Sequence, residues 1–199
     1  MSVAPVGKRR TAHVAMVFLG RLIDRINTII VRGSFAAWGP RSRIGRGAKL
    51  IAPYLIRVGA DVVMGEQVWL NAKDDRGNSK PTLSIGDGTY IGRFVQINAW
   101  RDVTIGNNVL IADRVFISDA DHRFEAVDVP IKSQGDAFVG GVALHDGCWI
   151  GIGAVILPGV TVGRNSVIAA NSVVTQDIPA RSVAAGIPAR IIKTLEQTS

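Results

Sequence analysis

The sequence predicts an all-β solenoid of hexapeptide repeats, and three observations predict it. Leu144, Ile150, Ile156, Val162, Ile168 and Val174 fall six residues apart. The position four after each holds Cys148, Ala154, Val160, Ser166, Ser172 and Ile178, small in five cases of six. Gly151, Gly163 or Ala169 follows directly in three cases. Neither a strand period of 2 nor a helix period of 3.6 explains this spacing. A chain that turns after every short strand and stacks its aliphatics does, each coil being stable only against its neighbours.

The N-terminal segment, residues 1–43, precedes the repeats and reads as helical. Ala15, Phe18, Leu19, Leu22, Ile26, Ile29 and Ile30 recur with helical spacing, while Arg21, Asp24 and Arg25 mark another face. Those charges interrupt the apolar run, which argues against a transmembrane span. Lys8, Arg9 and Arg10 resemble the start of a signal peptide, but Arg21 comes too soon and no clear cleavage site follows. Two expectations stay open for this amphipathic helix: packing on the solenoid or a neighbouring subunit, or peripheral contact with anionic lipid through residues 8–32.

The repeats are expected over 44–180. Val58, Met64 and Leu70 keep the spacing after Leu50 and Ile56. Ile85, Ile91 and Ile97 lead to Val103, and Ile105, Ile111 and Ile117 resume after a slip of two. The pattern breaks at Asp74–Pro81 and at His122–Val142, both rich in polar residues, Gly or Pro, so both read as loops thrown outward. The second, within 119–142, carries Phe124 and Phe138 and is expected to be functional. Residues 181–199 form a tail.

Charge divides the chain. Residues 1–57 carry eleven Lys or Arg against one acid, a net +10, whereas residues 58–199 come to −3. The basic residues are not interleaved with aromatics and no recognition motif is visible, so nucleic acid is not an expected partner. One cysteine, Cys148, excludes an internal disulfide framework and sits at a small inward position.

Histidine is the side chain suited to proton transfer near neutral pH. The chain has three. His13 falls in the N-terminal helix and His145 at a corner, whereas His122 opens the long loop directly after a solenoid strand. A carboxylate that fixes the imidazole tautomer is expected nearby. Asp119, Asp121 and Glu125 are the candidates by sequence, with Asp121 disfavoured because its counterparts in other coils point inward.

The hexapeptide column resembles a known family when taken with three segments: Trp149-Ile150-Gly151-Ile152-Gly153-Ala154, Leu157-Pro158-Gly159-Val160-Thr161-Val162-Gly163 and Ala185-Gly186-Ile187-Pro188-Ala189-Arg190. These are similar to the left-handed β-helix acyltransferases, the maltose, galactoside and exopolysaccharide O-acetyltransferase relatives. The resemblance spans about residues 44–193. It implies a left-handed parallel β-helix, a homotrimer, acetyl-CoA as co-substrate and a hydroxyl of a sugar or cell-surface glycan precursor as acceptor, in the cytoplasm or at the inner membrane face. It implies His122 as general base; which of the nearby carboxylates supports it, Asp119 and Glu125 foremost, is left to geometry. It also implies a cofactor groove at Trp149, Gly151, Ile152, Ala170 and Thr175, with Arg190 and Lys193 meeting phosphates and the tail closing the groove. Two positions depart from the pattern: Gln176 where Lys is common, and His145 where Gly is common.

Other chemistries fit less well. A zinc carbonic anhydrase of this shape needs three converging imidazoles, which this spacing does not supply, so no metal is expected. A sugar nucleotidyltransferase needs a nucleotide domain with a Gly-rich phosphate loop, and a serine acetyltransferase needs a larger helical domain. An N-acetyltransferase of an amino sugar and a non-catalytic scaffold remain as alternatives.

Overall fold

Three short strands per coil build three parallel sheets, the faces of a prism, in the computed structural model, which describes residues 6–74, 76–78 and 80–196. The first face runs from Ala37–Trp38 through Ile56–Val58, Leu83–Ile85, Val103–Ile105 and Val142–Leu144 to Thr161–Val162. The second contains Arg43–Ile44, Val63–Met64, Tyr90–Ile91, Leu110–Ile111, Trp149–Ile150 and Val167–Ile168. The third contains Lys49–Ile51, Trp69–Ala72, Gln96–Ala99, Phe116–Ser118, Val155–Ile156 and Val173–Val174.

A spacing of six therefore makes three columns. Leu144 pairs with Val162, Ile150 with Ile168 and Ile156 with Val174, so this coil takes eighteen residues. All six side chains are buried. The slip of two after Val103 lengthens the first-face strand: Val103 and Ile105 sit beside Leu83 and Ile85, and all four face inward. The small residues between columns tie adjacent coils together. Ser42 Oγ donates to Gly59 O at 2.6 Å, Thr89 Oγ1 to Gly106 O at 2.9 Å and Ser166 Oγ to Pro179 O at 2.7 Å. Cys148 Sγ makes the same kind of bond to Gly163 O at 3.0 Å, and burial pushes its thiol pKa up, so it is a packing residue.

Glycine serves two purposes. Gly147 takes a left-handed φ of 72°, yet Asn108, Asn165 and Asn171 hold equivalent corners with φ near 55°. Gly151 has no positive φ; a Cβ there would lie 2.6 Å from the backbone nitrogen of Ala170 in the next coil, so contact between coils requires it.

The first helix, α1 (Val6–Val31), covers the N-terminal end of the stack with its polar side. Asn27 Nδ2 donates to Gly45 O at 3.0 Å, Ile44 N donates to Thr28 Oγ1 at 3.0 Å and Arg46 N donates to Asp24 Oδ1 at 3.2 Å. Its apolar side, including Phe18, Leu22, Ile26 and Ile30, faces outward. The first solenoid strand starts at Ala37, ahead of the expected boundary at 44, because Ala37 and Trp38 already pair with Arg57 and Val58.

The expected loop at 119–142 is an antiparallel hairpin. Ala120–His122 pairs with Asp136–Phe138, and a short helix, α2 (Ile131–Gln134), bridges them. Gln134 laces the tip, accepting from Ala126 N at 3.0 Å and donating to Val129 O at 2.8 Å. Beyond Ile168 the tail extends the second face: Ser182–Gly186 pairs in parallel with Val167–Ile168 and folds back antiparallel onto Ala189–Thr194.

Candidate active site

The third face ends at Ser118, and the next four residues carry the chain out of the stack. Asp119 is the pivot. Its carboxylate is fully buried and accepts from the backbone nitrogens of Trp100 at 2.8 Å, Arg101 at 2.8 Å and Asp102 at 2.9 Å. Its carbonyl accepts from Val139 N at 2.9 Å, so both ends of the hairpin are anchored at one residue. These three bonds hold the carboxylate against the backbone. Asp119 thus does not reach His122, contrary to the sequence expectation.

The residue that does is Asp136. Its Oδ1 contacts His122 Nδ1 across the hairpin, where register places the two directly opposite. His122 is 73% exposed and Asp136 31%. Glu125 is not brought to the imidazole; its carboxylate accepts from Phe124 N at 3.1 Å. Asp121, in the middle of the strand, accepts from His122 N at 2.8 Å. An aspartate on Nδ1 fixes the proton there and leaves Nε2 as the basic nitrogen.

His122 and Asp136 stand at the edge of a cavity of about 420 Å³ on the outer side of the third face. Its floor is a row of amides, Asn71, Gln96 and Asn98, walled by Trp69 and Trp100. Asn98 Oδ1 accepts from Asn71 Nδ2 and Gln96 Nε2, each at 3.4 Å, which leaves its own Nδ2 as the donor facing the cavity. Trp69 Nε1 is buried there without a partner. Sequence reasoning missed Asp136 and these amides. A signal for the amides existed: Asn71 and Asn98 each follow a column residue, Leu70 and Ile97, so they point outward from one face.

The expected cofactor residues lie elsewhere on the same chain. Trp149 projects from the second face, half exposed. It is aligned with Val167, then Val183, then Lys193 on the tail. At about 4.8 Å per strand, Trp149 and Lys193 stand roughly 14 Å apart on one surface. Gly151, Ile152 and Ala170 occupy the adjoining corner and Thr175 follows the last third-face strand. Arg190 lies on the return strand, exposed, with one guanidinium nitrogen donating to Ala189 O at 2.9 Å. None of these residues lines the cavity at His122. His145 is an exposed corner residue, and the side chain of His13 lies outside the described residues. No group of three or more potential metal ligands occurs among the described residues. A larger cavity of about 570 Å³, between α1 and the second face, has no histidine in its lining.

The stack and its projecting histidine hairpin define a hexapeptide solenoid of the left-handed β-helix type. The chain is similar to the hexapeptide-repeat transferases: residues 141–176 match the bacterial transferase hexapeptide model of six repeats. A probable acetyltransferase of Mycobacterium tuberculosis is 35% identical over 151 residues, 75% of this chain and 49% of that protein. Galactoside O-acetyltransferase of Escherichia coli K12 is 45% identical over 119 residues, 57% of each chain. The chain thus spans about half the length of these curated relatives. Among solved structures, AntD, an N-acyltransferase from Bacillus cereus in complex with dTDP and 3-hydroxybutyryl-CoA, superposes with a TM-score of 0.72 at 20% identity, covering 85% of this chain and 88% of that one.

Proposed function

We propose that the protein is an acetyl-CoA-dependent O-acetyltransferase acting on a sugar or cell-surface glycan precursor. The observation that carries this reading is the His122–Asp136 pair at the mouth of an amide-lined cavity. His122 Nε2 takes the proton of an acceptor hydroxyl as its oxygen attacks the acetyl carbonyl. The tetrahedral intermediate then collapses, expelling the CoA thiolate, which recovers the proton from His122. Asp136 orients the imidazole and supports its cation; Asn98 Nδ2 is the nearby donor for the oxyanion. Among the described residues no Ser or Cys pairs with the base, so direct transfer is the reading, and positioning supplies much of the acceleration.

The acetyl-CoA groove of this reading follows Trp149, Gly151, Ile152, Ala170 and Thr175, with Arg190 and Lys193 at the phosphates and the tail closing it. That groove and His122 occupy different sides of one chain, which supports a homotrimer in which a hairpin from one copy meets the groove of the next. In this reading the enzyme works in the cytoplasm or at the inner face of the membrane. An amino group as nucleophile uses the same machinery, and the N-acyltransferase AntD shares the fold.

The test is acetyl-CoA turnover against a panel of sugars, amino sugars and lipid-linked glycans. Product on a hydroxyl supports the reading. Product on an amine replaces it with N-acetylation, and absence of CoA binding replaces it with a scaffold.

A further inference from the structure

A surface helix normally turns its apolar stripe to the core and its polar side to water. Helix α1 does the reverse. Its contacts with the solenoid run through Asp24, Asn27 and Thr28, which lie on one helical face and bond to the backbone of residues 44–46. On the opposite side Phe18, Leu19, Leu22, Ile26, Ile29 and Ile30 are all more than two-fifths exposed. Large apolar side chains contiguous on one surface mark an interaction site. The helix rises about 1.5 Å per residue, so its 26 residues make a rod of roughly 39 Å.

Charge selects the occupant. Arg25 is exposed along one flank of the apolar arc, and the helix sequence also carries Lys8, Arg9, Arg10 and Arg21. The first 57 residues hold ten of net positive charge while the rest of the chain is mildly acidic. An apolar face on a helix rich in Arg and Lys is the pattern of a helix lying in the headgroup layer of anionic lipid. No helix among the described residues is long and apolar enough to cross a bilayer, so the geometry is one of lying on the surface.

We propose that the outward face of α1 docks the protein on an anionic lipid bilayer, with the solenoid standing on its N-terminal end. The inference is independent of acetyl transfer, since α1 contributes no residue to the cavity at His122. The face sits beside the first coil and the hairpin several coils away, so docking leaves His122 open to solvent.

The test is co-sedimentation of the full chain with vesicles of phosphatidylglycerol or phosphatidylcholine. Binding at least tenfold tighter to the anionic vesicles, and weakened by 0.5 M salt, is expected. Arg25→Gln lowers it about fivefold, the loss of one cation at such a surface. Phe18→Asp with Ile26→Asp abolishes it while circular dichroism and acetyl transfer to a soluble acceptor stay unchanged, because both side chains are exposed. Equal binding to both vesicle types, or none, overturns the proposal. So does a fall in solution mass in the double variant without vesicle binding by wild type, which assigns the face to a second copy. Vesicle binding by a protein without acetyl transfer leaves this inference standing and removes the functional reading.

Discussion

The coil stack and the hairpin use the same residue types for opposite ends. In the stack, polar side chains are consumed: Ser42, Thr89 and Ser166 bond to the next coil, and Asp119 spends its carboxylate on three backbone nitrogens. On the hairpin, His122 and Asp136 have each other and solvent. Two aspartates seventeen residues apart thus do unlike work. The lesson is that burial with saturated hydrogen bonds marks structure, and an exposed pair on a rigid mount marks chemistry.

Substitutions sharpen that contrast. The largest effect is expected in the stack. Ile150→Ala removes a fully buried side chain and lowers unfolding free energy by about 2–5 kcal/mol, read by denaturant unfolding. A value under about 1 kcal/mol would mean the columns collapse without cost. Asp119→Ala follows at about 1–3 kcal/mol, since it leaves three part-buried N–H groups without their acceptor. Hydrogen exchange at Trp100, Arg101 and Asp102 rises in that variant; unchanged exchange would break the pivot assignment.

Asp136→Asn touches the hairpin alone. It is expected to lower kcat about tenfold, with the KM for acetyl-CoA and the thermal midpoint unchanged. A drop in the midpoint with kcat intact would make the pair structural. The smallest effect concerns acid. Asp113 is held below the usual carboxylate range by the backbone N–H of Arg93 and then by its guanidinium, and Asp146 by the backbone N–H of Asn107 and then Arg164. Depressed folded values stabilise the protein above the unfolded pKa near 3.9, and that stability is lost as pH falls below it. Both side chains keep partial contact with solvent, 25% and 35% exposed, so the slope is shallow. Unfolding midpoints between pH 6 and pH 3 are expected to fall less in Asp113→Asn than in wild type; parallel curves would refute the coupling.

The stack was largely legible because a period of six repeats at Leu144, Ile150 and Ile156 whatever lies outside. The hairpin was not. Its partner strands are separated by a stretch without periodicity, and the facing of His122 and Asp136 depends on antiparallel register fixed by Asp119, which reads in sequence as a neighbouring catalytic acid. The helix was legible in spacing but not in orientation: apolar periodicity does not say which side touches the solenoid, and here the hydrogen bonds of Asn27 and Thr28 decide it. The amides at Asn71 and Asn98 were readable in principle from their place after Leu70 and Ile97.

The central claim is that His122 on the hairpin is the base of an acetyl transfer whose cofactor is held by the stack. Acetyl transfer and acetyl-CoA affinity measured together on wild type and His122→Ala test it most directly. The account predicts a rate loss of about 10²-fold or more with affinity and thermal midpoint unchanged. Equal rates in the two proteins would contradict it and move the search for the base to His145.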